Sequence, residues 1–310
     1  MAEPVLLDSR QMASFVARGF LRFDAVVPDT INQAFLDALG RVDAANIAHM
    51  RAYYGRIMGS DAIPVVNAGT PMDAAYPDES PLRALLDLPV VRGAVESLVG
   101  RRAIFDHHFL HIAFPPAFYE AQGIRQVAQH NHQDSTIDPR SAFDIQLMYY
   151  PHDVTADMGG TRFLPGSHLR IVSEAAIARY QNIRGQQHVV CPAGTLLVLH
   201  HGIWHGAGIN RSDRLRYMFK IRLQPGERQR RLWNTADLPP ADTPQRPIFW
   251  TGPGQNEDGI AAILTRPEPW HEADTGRLEY LNRIRLWRHL LDDPAFDADY
   301  WLTRVENEPA

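Results

Sequence analysis

The feature that most restricts the fold of this chain is a change in the spacing of its apolar residues near Arg102. Before that point apolar residues recur mostly at helical spacing, whereas after it short apolar runs separated by turn residues dominate. The second pattern is typical of an antiparallel sandwich or jelly roll. Residues 144–150 and 214–223 alternate, and successive side chains of a strand point to opposite faces. We therefore expect their apolar faces to be buried under flanking helices and their mixed faces to line the barrel interior.

Helical spacing predicts helices on both sides of this β region. They are expected over residues 8–18, 30–48, 81–99 and 277–291. A short helix is also expected after Pro294, a short strand over residues 19–23, and an irregular loop over residues 55–80.

The chain is predicted to divide near residue 225. Residues 1–225 should form one jelly-roll domain together with the N-terminal helices. Residues 226–310 open with a stretch rich in proline and glycine, and we expect them to form a loop-and-helix extension packed on the same domain. Wrapping the barrel, covering the site and forming a homodimer contact remain open as roles for this extension.

Composition excludes several classes of function. The net charge of −5 at pH 7 offers no electrostatic basis for binding nucleic acid or an anionic membrane surface. No apolar run approaches the ~18 residues of a membrane span, and the first residues lack the basic and apolar regions of a signal peptide. Cys191 is the only cysteine, which predicts a buried, inert thiol in a reducing compartment. We expect a cytoplasmic protein with no nucleic-acid or membrane partner.

Three residues form a candidate metal site. His132 and Asp134, at positions i and i+2 of an extended segment, point to the same face, and His205 is supplied by a distant part of the chain. Two imidazoles and one carboxylate are the ligand set of non-heme Fe(II) oxygenases, in which the opposite face of the ion stays open. The same set can serve a zinc hydrolase with an activated water, or a jelly-roll protein that binds a metal without catalysis.

The sequence around these residues resembles one family. Three blocks carry the resemblance: His132-Gln133-Asp134, Gly159-x5-Pro165-Gly166-Ser167-His168 and His205-Gly206-Ala207-Gly208-x-Asn210-Arg211-Ser212. In this order and at this spacing they resemble the phytanoyl-CoA dioxygenase family of Fe(II)/2-oxoglutarate-dependent oxygenases over residues 100–225. One departure is Asn131, where the family often has tryptophan, and it affects the pocket wall but not the ligand set.

The resemblance implies both a fold and a reaction. The fold is mainly β with flanking α, a double-stranded β-helix (a cupin-like jelly roll) buttressed by the N-terminal helices. His132, Asp134 and His205 would hold Fe(II), with 2-oxoglutarate as cosubstrate and O2 as oxidant. The implied reaction is hydroxylation of a small-molecule substrate with release of succinate and CO2.

Two further residues are predicted to bind 2-oxoglutarate. Arg216 lies 11 residues after His205, where the family has the arginine that pairs with the distal carboxylate of 2-oxoglutarate. A planar guanidinium can hold a carboxylate through two hydrogen bonds while staying charged. Arg214 lies on the same face of the strand and remains the alternative. Gln146 is carried over from the family as a pocket residue, because relatives line the cosubstrate pocket with this strand.

The type of oxidation and the class of substrate can be restricted further but not identified from the sequence. Halogenating relatives have a small residue in place of the carboxylate, so Asp134 predicts hydroxylation or a related oxidative step. Scarcity of lysine and the mildly acidic charge argue against a large polyanionic substrate such as CoA. His130 and His168 are expected to pack or to brace the backbone, not to bind the metal.

Overall fold

The computed structural model describes residues 2–43, 46–134, 143–170, 177–178, 182–227, 233–238, 259–266, 268 and 273–293. Its α-helices are α1 (Ser9–Arg18), α2 (Asp29–Leu39), α3 (Ile47–Ile57), α4 (Pro81–Leu86), α5 (Pro89–Val99), α6 (Pro116–Glu120), α7 (Ile260–Thr265) and α8 (Ala273–Leu291). Its strands are β1 (Phe20–Phe23), β2 (Ala103–Ala113), β3 (Ile145–Tyr150), β4 (Thr161–Phe163), β5 (Gln187–His188), β6 (Thr195–His200), β7 (His205–Ala207) and β8 (Arg216–Pro225). Short 3-10 helices cover Met72–Ala74, Ala156–Met158 and Ser167–Leu169.

Two antiparallel sheets form the centre of the fold. The larger sheet has the strand order β1-β6-β3-β8-β2, and the smaller one has the order β5-β4-β7. Side chains of both sheets meet in one apolar cluster that includes Met148 from β3 and Phe163 from β4. The helices pack on the outer face of the larger sheet. The predicted class, a mainly β jelly roll with flanking helices, is therefore confirmed.

The alternation of the strands determines which side chains face the helices. Ile145, Leu147 and Tyr149 of β3 belong to the cluster shared with the helices, whereas Met148 and Tyr150 belong to the cluster between the sheets. Strand β8 divides in the same way, with Phe219, Ile221 and Leu223 toward the helices. The face assignments drawn from the period of two are confirmed on both strands.

Helix α1 begins and ends at residues that the sequence marks. The Asp8 carboxylate accepts a hydrogen bond from the Gln11 backbone N–H at 2.7 Å, and the Gln11 side chain accepts one from the Asp8 N–H at 3.0 Å. The chain leaves the helix through Gly19, whose φ is +77°. A Cβ at this position would lie 2.5 Å from Nδ1 of His168, so the turn requires glycine sterically as well as conformationally.

The predicted helical bounds were wrong in two places. The single helix expected over residues 30–48 is two helices, because α2 ends at Gly40 and α3 starts after Asn46, whose side chain caps it. As a result, α3 runs into the stretch expected to be loop, which also contains the 3-10 helix Met72–Ala74. The helix expected over residues 81–99 is interrupted at Pro89, which begins α5 and has no N–H to continue α4.

The described part of the C-terminal region packs against the N-terminal helices. Leu264 of α7 and Ile284 and Trp287 of α8 are buried in the same cluster as Phe15 of α1. The guanidinium of Arg283 donates through Nη1 to the carbonyl oxygens of residues 264 and 266. Helix α8 matches the prediction at its C-terminal end and begins four residues earlier. The domain division at residue 225 and the homodimer contact stay predictions, and the helix expected after Pro294 lies outside the described residues.

None of the helices in the described part of the chain combines the length and the apolar character needed to cross a membrane.

Candidate metal centre

The fold brings His132, Asp134 and His205 together at one edge of the smaller sheet. His132 and His205 face each other across an antiparallel bridge, and each backbone N–H donates to the carbonyl of the other at 2.9 Å. The backbone N–H of Asp134 donates to the carbonyl of His201 at 3.2 Å. One ligand atom from each of the three side chains lies within 4.8 Å of the others. No other such group of three metal-binding side chains occurs in the described residues.

Backbone carbonyls orient both imidazole rings. Nδ1 of His132 lies 3.1 Å from the carbonyl oxygen of His130, and Nδ1 of His205 lies 3.0 Å from that of Ile203. A carbonyl can only accept, so Nδ1 carries the proton in each neutral ring and the lone pair is on Nε2. The two Nε2 atoms lie 3.4 and 3.9 Å from Oδ1 of Asp134. Three donor atoms therefore converge, and this set fits a divalent cation of the iron or zinc type.

The electrostatics of the three groups favour a cation. Burial would raise the pKa of Asp134, but the hydrogen bond to His132 and the interactions with His205 and Lys220 outweigh it and hold that pKa well below its usual range. Burial lowers the pKa of His205 to about 4, so this ring is neutral at pH 7. Burial also acts to lower the pKa of His132, but the bond to Asp134 is stronger in effect and the pKa ends above 6.5.

Metal affinity is expected to weaken as the pH is lowered, with a pH dependence that corresponds to the uptake of one proton. Asp134 is ionised and His205 is neutral above about pH 4, so only His132 must lose a proton before it can bind. Below the raised pKa of His132, each pH unit should weaken the apparent affinity for Co(II) about tenfold. Titration of the metal-free protein with Co(II) between about pH 5 and pH 8 measures this slope. A slope of two protons in that range would contradict the assignment.

A cavity of about 210 Å³ opens onto the two histidines. Its inner wall includes Met148, Thr161 and Met218, which lie on strands of both sheets. Around its mouth lie Tyr54 and Phe109, which are 40% and 36% exposed. The cavity therefore joins the candidate metal site to the surface through partly apolar walls.

Arg216, and not Arg214, lies in this cavity. Arg216 is 2% exposed and lines the wall, with its Nε donating to the carbonyl of Met158 at 3.2 Å. Burial lowers the pKa of its guanidinium, which nevertheless stays charged at neutral pH. In the described part of the chain, no carboxylate forms an ion pair with it. Arg214 is exposed, precedes β8 and only approaches the Met158 sulfur, at 3.8 Å.

Gln146 is buried and is not part of the cavity wall. It is 0% exposed, and within the described residues its amide oxygen and nitrogen have no hydrogen-bond partner. Met148, two residues further along β3, is the side chain of this strand that lines the cavity. The role of Gln146 in binding 2-oxoglutarate stays a prediction.

Sequence reasoning did not identify Lys220 as a site residue, although the alternation over residues 214–223 puts it on the mixed face of the strand. Its Nζ donates to Oδ2 of Asp134 at 3.1 Å, and its side chain lines the cavity. The available signal was its position four residues after Arg216 on the same strand, because residues separated by an even number point to the same face. His111, which faces Met218 across the sheet, also lines the cavity, and burial lowers its pKa to about 3.

The remaining candidates take structural positions. The His130 side chain is exposed, and its carbonyl orients His132. The His168 ring is fully buried, with Nε2 2.9 Å from the Val16 carbonyl oxygen, so it joins the turn after β4 to α1. Cys191 is a buried free thiol, as expected.

Part of this chain is similar in sequence to two mycobacterial proteins. Uncharacterized proteins of Mycobacterium tuberculosis (strain ATCC 25618 / H37Rv) and Mycobacterium bovis (strain ATCC BAA-935 / AF2122/97) are each 32% identical over 134 residues, which cover 42% of this chain and 47% of each relative. The chain thus matches about half the length of these curated relatives.

Similar solved structures are more distant in sequence. One is the non-heme alpha ketoglutarate dependent carbocyclase SnoK from nogalamycin biosynthesis, at 18% identity and a TM-score of 0.48 over 73% of this chain and 88% of that chain. Another is HygX from Streptomyces hygroscopicus with nickel and 2-oxoglutarate bound, at 15% identity and a TM-score of 0.47 over 70% and 86%.

The family model for phytanoyl-CoA dioxygenase matches residues 15–218. The match covers the jelly-roll strands up to the first residues of β8, and it contains the three candidate metal ligands and Arg216. On this match the chain belongs to the phytanoyl-CoA dioxygenase family.

Proposed function

We propose that this protein is an Fe(II)/2-oxoglutarate-dependent dioxygenase that hydroxylates a small molecule and releases succinate and CO2. Family membership assigns the chain to the oxygenases. The observation that carries the finer proposal is the convergence of two imidazole Nε2 atoms and one carboxylate oxygen beside a cavity that also contains a buried arginine. The three ligand atoms can bind a metal ion, and the arginine can bind a carboxylate group of a molecule that also reaches this metal.

Each ligand is held in place before a metal binds. His132 and His205 are fixed by backbone bonds on both sides of the bridge and by their Nδ1 contacts, so their Nε2 atoms need little rearrangement. Asp134 supplies the third donor, on the same side as both imidazoles. Bound Fe(II) with 2-oxoglutarate as co-reductant would activate O2, the oxidant, for attack on an unactivated C–H bond.

Arg216 and Thr161 form the proposed carboxylate-binding end of the cavity. The Arg216 guanidinium is buried, charged and free of an acidic partner in the described residues, so a bound carboxylate would offset the cost of its burial. The Thr161 hydroxyl accepts a hydrogen bond from the Tyr150 hydroxyl at 2.8 Å, which leaves its own hydrogen for an acceptor in the cavity. Together they provide two donor groups for the distal carboxylate of 2-oxoglutarate.

Water exclusion is provided by the side chains around these donors. Met148 and Met218 line the inner wall and are almost completely buried. Their thioethers offer no strong hydrogen bonds, so a substrate that fills the cavity displaces water at small cost. The substrate is proposed to enter past Tyr54 and Phe109 at the mouth.

The direct test is optical. Anaerobic addition of 2-oxoglutarate to the Fe(II)-loaded protein should produce the weak visible charge-transfer band of a chelated 2-oxo acid. A zinc hydrolase, or a jelly-roll protein that binds a metal without catalysis, should give no such band and no succinate. A screen of small molecules for stimulated succinate formation would then identify the substrate class.

The product is expected to be hydroxylated or desaturated and to contain no chlorine from the reaction. Three protein ligands and a bidentate cosubstrate leave one position on a six-coordinate metal, so chloride has no place beside Asp134. Turnover in high chloride should give a mass gain matching hydroxylation, or a loss of two hydrogens if the substrate is desaturated. A chlorinated product from the unmodified protein, detected by mass spectrometry, would overturn this expectation.

A further inference from the structure

One side chain beside the metal ligands has no role in the function proposed so far. Lys220 is the only lysine of the 310 residues, since all other basic side chains that carry a full charge are arginines. It lies in the middle of β8, 9% exposed, with its ammonium in the cavity wall. Lys220 lies 86 residues from Asp134 in the chain, yet its Nζ lies 3.1 Å from Oδ2 of Asp134.

The two oxygens of the Asp134 carboxylate have different surroundings. Oδ1 faces the two imidazoles, 3.4 Å from Nε2 of His132 and 3.9 Å from Nε2 of His205. Oδ2 points the other way and accepts from Lys220. Only Oδ1 is therefore directed at the point where a metal would be held by all three ligands.

Arginine at this position would act differently. A guanidinium presents several N–H donors in a fork and engages carboxylates through two bonds, whereas an ammonium is a compact point charge. Two residues further along the same strand, Arg222 donates from both Nε and Nη2 to the Oδ2 atom of Asp144, at 3.0 and 2.5 Å. A guanidinium fork that reached both oxygens of Asp134 would compete with the metal for the ligand oxygen Oδ1.

We propose that Lys220 is a positioning residue that holds the outer oxygen of Asp134 and thereby keeps this carboxylate a monodentate ligand. The inference rests on the proposed function, because it concerns how many positions an Fe(II) site leaves open. A carboxylate that chelates through both oxygens would take one more position on the metal. With three protein ligands and bidentate 2-oxoglutarate, that position is the one that O2 needs.

The test compares metal affinity with access to the sixth position. Lys220→Met keeps the length of the side chain and removes its donor, so Oδ2 is free to turn toward the metal. We expect Co(II) affinity that is unchanged or tighter. Nitric oxide, which occupies the open position of Fe(II), should bind the anaerobic complex with 2-oxoglutarate at least about tenfold more weakly, within the range that outer-shell substitutions cost.

Lys220→Arg should show the reverse defect. Its fork competes for Oδ1, so Co(II) affinity should weaken by about tenfold or more. Arg222→Met is the matched control, because it removes a half-buried cation from the same face of β8 that pairs with the Asp144 carboxylate and contacts Asp134 only at its backbone carbonyl. It is expected to lower thermal stability without the selective loss of nitric oxide affinity.

Unchanged nitric oxide affinity in Lys220→Met would overturn the proposal. So would parallel losses of Co(II) and nitric oxide affinity, because they would mean that Lys220 only supports the site structurally. If the wild type shows neither the charge-transfer band nor 2-oxoglutarate consumption, it is the proposed function that fails.

Because the lysine is unique, the wild type provides a second measurement that does not depend on any variant. Protein labelled only in lysine with 13C and 15N should give one side-chain ammonium signal. On addition of Zn(II), a diamagnetic substitute, this signal should keep the slow exchange of a hydrogen-bonded ammonium. A change to the signal of a free, solvated lysine would show that the bond to Asp134 breaks when metal binds, and would overturn the proposal.

Discussion

Replacing His205 or His132 with alanine is expected to abolish iron-dependent consumption of 2-oxoglutarate. Each substitution removes one of three ligand atoms, and the remaining imidazole and carboxylate hold a divalent ion much less tightly. The backbone bonds that pair residues 132 and 205 do not involve the side chains, so the fold should be retained. Loss of turnover should therefore come with loss of Co(II) binding and with nearly unchanged circular dichroism.

The control for this experiment is His130→Ala. His130 has the same parity as His132 and its ring lies 5.9 Å from the His132 ring, but its side chain is exposed and it orients His132 only through its carbonyl. This variant should keep metal binding and most of the turnover. Wild-type 2-oxoglutarate consumption by His132→Ala or His205→Ala would refute the assignment of the metal ligands.

The second large effect is expected from Arg216→Ala. The variant removes a buried guanidinium whose partner is proposed to be the distal carboxylate of 2-oxoglutarate. A charge-assisted hydrogen-bonded pair of this kind contributes about 1.5 to 3 kcal/mol, which corresponds to an increase in the KM for 2-oxoglutarate of at least about tenfold. Steady-state assays of succinate formation at saturating substrate measure this increase.

Arg214→Ala provides the matched comparison, because it removes the same side chain from an exposed position two residues earlier. Its KM for 2-oxoglutarate should stay close to that of the wild type. A large increase in Arg214→Ala and none in Arg216→Ala would show that the strand presents the opposite arginine. Unchanged binding of Co(II) in both variants would show that the effect is on the cosubstrate and not on the metal site.

Local patterns in the sequence predicted the strand faces and the ends of α1. The period of two in β3 and β8 depends only on backbone geometry, so it assigned Leu147 to the helical side and Met148 to the interior without knowledge of the fold. Asp8 accepts a hydrogen bond from a free N–H group in the first turn of α1, and Gly19 ends its last turn in the left-handed conformation. Both effects are local to the helix. Gly40 and Pro89 are also sequence signals for a helix end and a helix start. Both were overlooked because apolar residues continue at helical spacing across them.

Parity alone does not choose between side chains on one face. Arg214 and Arg216 point to the same side of an extended chain, but β8 begins at Arg216, and Arg216 lines the cavity whereas Arg214 does not. In the same way, Gln146 and Met148 share a face of β3, but only Met148 reaches the cavity. Such differences depend on where a strand enters the sheet and on what lies opposite it, which are long-range properties.

By itself, the sequence determined the jelly-roll class, the family and the three candidate ligands, because alternation, i+2 spacing and ordered blocks are properties of short segments. Only the tertiary structure decided how those segments meet. The bridge between His132 and His205 joins positions 73 residues apart, and the contact between Lys220 and Asp134 joins positions 86 residues apart. Contacts of this range arise from the pairing of strands and the packing of two sheets, and no local preference of either residue encodes them.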